Sequence, residues 1–344
     1  SLIIPAANAR AATLLPVVNG ITNMFGDTPE ERAGKKAIVI QTLVYGSMIS
    51  GMCIMTAHLP NLVLVGLFDT ELALHLSYID WFKLQWPYLG MFVITQWWIQ
   101  RYFKTRGVGV HGGYEAVQKQ YAEQPRTSQA EWLILAVFGV IALLWVTESW
   151  HGIKSHNAAL MGLAVLFMPG MFGFKWKDLQ DRTIWGTFLL LAGALSMSAA
   201  MGSTGLAQWL SDIIHPIAEG HAWWMILLIL MLGTHVIRLG MLSNVAAITM
   251  LAPILLALAP KLGLHPVAFT MLVSDTDTFA YLLPTQITAA VIAYSSGTFS
   301  MADYAKVGWV SVLIAIAYGI LIMAPWYAFM GIPVWDPTAP WPFK

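Results

Sequence analysis

Ser77-Tyr78-Ile79-Asp80-Trp81-Phe82-Lys83-Leu84-Gln85-Trp86 and Ser300-Met301-Ala302-Asp303-Tyr304-Ala305-Lys306-Val307-Gly308-Trp309 share one frame, S-x-x-D-aromatic-x-K-x-x-W. Each opens a long apolar helix, 81–104 in the first case and 306–324 in the second. Upstream of each lies an apolar run interrupted by proline, 37–67 with Thr56-Ala57-His58-Leu59-Pro60-Asn61 and 267–294 with Leu283-Pro284-Thr285-Gln286. Proline removes an amide donor and clashes with the preceding turn, so both helices are expected to break within the run. Further upstream, each half carries an Asn-containing tip, Ala7-Asn8-Ala9-Arg10-Ala11-Ala12 and Ser243-Asn244-Val245-Ala246-Ala247. Interfacial Trp and Lys anchors recur by chance in membrane helices. The four-part order of tip, apolar arm, broken helix and D-K-W helix is a longer pattern, and it occurs twice.

The surrounding composition fixes the solvent. Of 344 residues, 58% are hydrophobic and only 10% charged, against about 25% charged in a soluble domain. The charges form short islands between apolar runs of roughly twenty residues, the length that spans a bilayer core. The fold class is therefore an all-α polytopic membrane protein. From one broken helix to the other the chain crosses the membrane five times by this reading, an odd number, so the halves point in opposite directions. Inverted repeats with helices broken at the midplane are the architecture of secondary transporters. Irregular backbone at that depth is tolerated only inside protein or along a polar cavity, so the breaks mark a candidate site. The zero net charge gives no basic face for nucleic acid. The single cysteine, Cys53, has no partner for an intramolecular disulfide. The sequence holds no phosphate loop, G-x-S-x-G or H-E-x-x-H, so an enzyme is not expected. The chain opens Ser-Leu-Ile-Ile-Pro without an initiator Met or a charged leader, and a missing beginning is the expectation.

Orientation follows from Lys and Arg. If 221–259 is a re-entrant hairpin, the islands 27–36, 101–129, 175–182 and 295–306 share a side and hold twelve of the eighteen basic residues. The positive-inside rule places that side in the cytoplasm of a cell (inner or plasma) membrane. The expected organisation is a partial N-terminal repeat at 1–104, a cytoplasmic linker with a short amphipathic helix at 105–129, a C-terminal repeat at 130–331 and a tail at 332–344.

The Asn tips and the Pro-Asn break resemble the divalent anion:sodium symporter family, which includes dicarboxylate and citrate carriers. Family members carry Ser-Asn-Thr at the tip of a re-entrant hairpin in each half and a Pro-Asn loop that interrupts the next helix. Ser243-Asn244-Val245 and Thr56 to Asn61 are the nearest matches, and Ile3 to Arg10, Trp145-Val146-Thr147-Glu148 and Thr204 to Trp209 resemble the citrate-carrier branch. On this resemblance the chain starts at the first tip and lacks roughly the first quarter of a typical member. It implies substrate contacts from Asn8, His58, Leu59, Ser243, Asn244, Val245 and Thr288. It implies cation contacts from Asn8, Ala57, Asn244 and Gln286, with His58 and Leu59 as the first-half counterparts of Gln286 and Thr288. Sodium would be the coupling ion, no cofactor is implied, and homodimerisation follows only from the family. The sequence also departs from the family pattern. Ala7 and Ala9 replace hydroxyl residues, Ile3 stands where a further Ser is common, and Ala289-Ala290 replaces the second Pro-Asn.

Three charged residues in apolar surroundings complete the candidates. Arg238 is costly in lipid and must face protein or a cavity, either to attract an anion or as a structural pair. Asp275 and Asp277 are candidate cation or proton ligands, although i and i+2 lie on different sides of a regular helix. The function expected is a secondary transporter of small di- or tricarboxylates, by sodium symport or anion exchange. The alternative is a degenerate carrier kept as a non-transporting subunit of a larger membrane complex.

Overall fold

The computed structural model describes residues 6–109, 118, 122, 127–168, 175–183 and 185–343. Among them every regular element is helical and no strand occurs, as predicted. The repeated frame is a helix starter. Ser77 Oγ accepts from the Asp80 amide at 3.2 Å and opens α5 (Tyr78–Gln85). Ser300 and Asp303 form a reciprocal capping box that opens a helix over Met301–Tyr318. Such a cap is worth about 1 kcal/mol and places Asp in the first turn, where the helix dipole favours it. The Lys of the first copy lies 3.5 Å from its own Asp80, whereas Asp303 is paired at 2.8 Å with Lys36 of the other half.

Both predicted breaks are present and have the same construction. In the first half, α1 (Ala7–Thr22) leads to α2 (Pro29–Val39), a π-helical turn at Ile40–Gly46 and α3 (Ser47–Met52). A 3-10 turn over Met55–Ala57 and an extended His58 then separate α3 from α4 (Leu59–Leu72). Pro60 sits in the first turn of α4, where its missing N–H is no loss. The second half begins with α13 (Trp223–Arg238) and α14 (Asn244–Leu258), which occupy the run 221–259. It continues with α15 (Pro266–Thr278), a 3-10 turn at Pro284–Gln286, an extended Ile287 and α16 (Thr288–Tyr294). Leu59 thus matches Thr288, and Ala57 rather than His58 is the counterpart of Gln286, a one-residue correction. The helix from Ser300 is α17, followed by a π-helical turn at Gly319–Met323 and α18 (Ala324–Phe329).

Between the halves lie α7 (Gln129–Val146), the single turn α8 (Glu148–His151), α9 (Ser155–Leu166), α10 (Trp176–Arg182), α11 (Trp185–Ser203) and α12 (Leu206–Ala218). The run predicted as one helix from 81 to 104 is interrupted at Trp86-Pro87-Tyr88, because Pro87 cannot donate, and resumes as α6 (Leu89–Phe103). Because of these breaks, only Gln129–Val146 and Met301–Phe329 are each long and apolar enough to cross a membrane among the described residues. Phe188–Ser203 and Leu206–Ala218 form a further apolar pair bent by 72°. Ile3 and, apart from residues 118 and 122, the predicted amphipathic helix of the linker lie outside the described residues. The tail is packed: Ile332 and Val334 are buried, and the His265 amide donates to Val334 O at 2.8 Å.

Packing between the halves is reciprocal. The tip helix α1 of the first half lies on α16 of the second, and the tip helix α14 of the second lies on α4 of the first. One apolar core runs through both halves, from Val44 and Leu67 to Ile248 and Val312.

Candidate functional site

The reciprocal packing brings both tips and both breaks to one place. Asn8, His58, Leu59, Ser243, Asn244, Val245 and Thr288 line a single cavity of about 250 Å³. These are seven of the eight residues expected to contact substrate; the eighth, Arg238, lies directly behind Asn244. The volume is at the small end for ligand pockets, which suits a compact ion. Four helices, α1, α4, α14 and α16, begin at the cavity wall. Their unsatisfied amides and dipoles direct positive partial charge inward.

Behind each tip stands a buried guanidinium. Arg10 Nη1 donates to Ala57 O at 2.9 Å and Nη2 to Ser47 O at 2.6 Å. Arg238 Nη2 donates to Gln286 O at 3.1 Å and to Asn244 Oδ1, while Nη1 donates to Ser243 O at 3.0 Å. Ala57 O and Gln286 O are equivalent carbonyls at the ends of the two 3-10 turns, so one arginine serves each break. Gly51 makes the first arrangement possible, since a Cβ there would lie 2.6 Å from Arg10 Nη2.

The freed backbone of each break is satisfied differently. In the first, Asn61 Nδ2 donates to Gly51 O and Ile54 O, both at 3.1 Å, which is the physical role of the Pro-Asn pair. Ala290 cannot do this in the second half. There Gln286 Oε1 accepts from the Leu282 and Leu283 amides, and its Nε2 donates to Arg238 O at 3.0 Å. Across the cavity, the Asn244 amide nitrogen lies 3.3 Å from His58 Nε2, joining the second tip to the first break. Asn8 Oδ1 accepts from the Ala9 amide within its own turn.

The two aspartates are not brought together. Both are buried on α15, which stays helical through Thr278. Asp275 accepts from Gln85 Nε2 at 2.7 Å and from Tyr327 at 3.3 Å, whereas Asp277 lies 3.4 Å from Arg238 Nε. Neither lines the cavity. Ala57 and Gln286 present carbonyls to arginine rather than to the cavity. Among the described residues no group of three or more His, Cys, Asp or Glu could hold a metal ion. The sequence reading passed over Arg10 as a site residue. The signal was present, a charge in an apolar arm beside an Asn tip, and it is the same signal that marked Arg238.

A family model described as the sodium:sulfate symporter transmembrane region matches residues 1–332. The chain belongs to this symporter family. Its family is one of membrane transporters and not of enzymes, and the chain is an integral membrane protein. It is 28% identical over 337 residues to a Cupriavidus necator protein described as a membrane protein, covering 96% of the chain and 65% of that relative. It is 25% identical over 337 residues to the sodium-dependent dicarboxylate transporter SdcS of Staphylococcus saprophyticus, covering 93% and 64%. To Homo sapiens solute carrier family 13 member 1 the identity is 23% over 347 residues, covering 86% and 58%. The chain therefore spans less than two thirds of the length of these relatives.

Proposed function

We propose that the protein is a secondary carrier of small di- or tricarboxylates and that it works by anion exchange, with fixed arginines supplying the charge that coupling cations supply elsewhere. The observation that carries this reading is the cavity itself, where four helix amino ends meet and a guanidinium stands behind each tip. Dehydrating a dianion is expensive unless opposite charge is near. Arg10 and Arg238 contribute it from buried positions, Arg238 with Asp277 at 3.4 Å, and they donate to Ala57 O and Gln286 O. Ala7 and Ala9 offer no hydroxyl in compensation. The carboxylate class comes from the likeness to the dicarboxylate transporter. Bound sodium can leave with its substrate, but a side chain cannot. The empty cavity keeps its positive charge, so reorientation without an anion is disfavoured and exchange follows.

The test is counterflow in proteoliposomes. Labelled succinate, citrate and sulfate are offered outside, with or without unlabelled anion inside, in sodium and in choline buffers. Exchange that persists in choline and needs internal anion supports the proposal. Uptake that requires sodium and no internal anion overturns the exchange mode in favour of symport. Folded protein that neither moves nor is thermally stabilised by any of the anions would favour the non-transporting subunit.

A further inference from the structure

The anion reading leaves one buried group without a task. Asp277 is fully buried, and neither of its carboxylate oxygens accepts a hydrogen bond from the described residues. Its charged partner is Arg238 Nε at 3.4 Å. The same guanidinium uses its other two nitrogens on the second tip and the second break. One cation thus answers to a carboxylate on one side and to the anion cavity on the other.

The groups around Asp277 narrow the assignment. From α13 come Arg238 and His235, and His235 Nδ1 donates to Met231 O at 2.8 Å. The first break brings His58, which reaches Asn244. Helix α14 carries no titratable side chain. Helix α18 brings Tyr327, which donates to Asp275 on the far side of α15. From α17, Tyr318 donates to Pro87 O at 2.5 Å and Asp303 is paired with Lys36, while Tyr304 and Lys306 complete its titratable groups. Arg238 is the cation placed to compensate Asp277. Arg238 serves both Asp277 and the second tip with one guanidinium, so an anion in the cavity competes with Asp277 for it. A buried carboxylate left without its cation is costly, and a proton neutralises it.

We propose that Asp277 is the proton carrier of the transport cycle, protonated as a dianion binds and deprotonated as it leaves. The dianion draws Arg238 toward the tip, and an oxygen of Asp277 takes a proton from the water on the side from which the anion arrives. On the other side the O–H bond breaks, the proton returns to water, and Asp277 re-forms its pair with Arg238. The proposal rests on the anion-carrier reading and adds the ion that travels with the substrate.

The experiment is calorimetry of succinate binding to the detergent-solubilised full chain at pH 7.5, repeated in buffers of different ionisation enthalpy to count protons taken up. The wild type is expected to take up about one proton per succinate, Asp277→Asn none, and Asp275→Asn still about one. Succinate binding without proton uptake in the wild type, or with uptake unchanged in Asp277→Asn, overturns the proposal. Absence of succinate binding in the folded wild type would instead be the failure of the carrier reading. Should Asp277→Asn not fold, Asp277→Glu replaces it. A shifted pH midpoint of proton uptake in that variant supports the assignment, and an unmoved midpoint refutes it.

Discussion

Removing the Arg238 guanidinium should destabilise the protein chiefly through what it leaves behind. The side chain is fully buried and donates to Ser243 O, Gln286 O and Asn244 Oδ1, with Asp277 at 3.4 Å. Arg238→Met keeps most of the volume but strands a buried carboxylate, a loss of about 3–5 kcal/mol for a broken buried pair. Asp277→Asn removes the stranded charge and leaves the guanidinium its oxygen acceptors, so its cost is about 1–3 kcal/mol. In the double variant neither charge is uncompensated, and its cost should fall short of the sum of the single costs by about 1–3 kcal/mol. The assay is denaturant unfolding in mixed micelles at pH 8, followed through the 16 tryptophans. Additivity within about 0.5 kcal/mol would refute the view that Arg238 and Asp277 form one ionic unit.

Three further outcomes follow from the same geometry. Gly308→Ala should abolish stable folding, because its Cβ would lie 1.7 Å from Tyr281 O, a backbone atom; size-exclusion profiles of the solubilised variant would check this. Gly51→Ala should displace the tip of the Arg10 guanidinium and weaken anion affinity by roughly 5-fold, about 1 kcal/mol, read by the thermal shift with succinate. At His58, Gln should preserve the polar tie to Asn244 while Leu breaks it, so His58→Leu should cost roughly 1 kcal/mol more stability than His58→Gln in matched unfolding curves.

The large features of this fold were legible because they rest on covalent or compositional facts. Pro60 and Pro284 each start a new helical segment after a break, although Pro16, Pro216 and Pro253 lie inside helices, and Ser77/Asp80 and Ser300/Asp303 mark helix starts by local chemistry alone. Seven of the fourteen residues that line the cavity were named from the sequence, since tips and breaks carry polar residues in apolar runs. Long-range pairing was not legible. Nothing in the spacing of Arg10 and Ala57, 47 positions apart, says that one donates to the other. The replacement of the second Pro-Asn by Ala289-Ala290 did not reveal what takes over at that break, where Gln286 accepts from the Leu282 and Leu283 amides while Asn61 donates to carbonyls in the first half. The separation of Asp275 from Asp277 was visible as a helical angle, but their partners Gln85 and Arg238 come from remote segments.

The crossed seating of α1 on α16 and of α14 on α4 also has a consequence for biogenesis. The bonds of Arg10 to Ser47 and Ala57, and of Arg238 to Gln286, span fewer than 50 positions. The apolar seat of α1, by contrast, is not synthesised until the ribosome reaches Thr288. At roughly 5–20 residues per second, α1 waits about 15–50 s after its own completion for that partner. Each half can therefore close its own polar contacts while entering the membrane, and the mating of the two apolar faces is left as the last and slowest act of assembly.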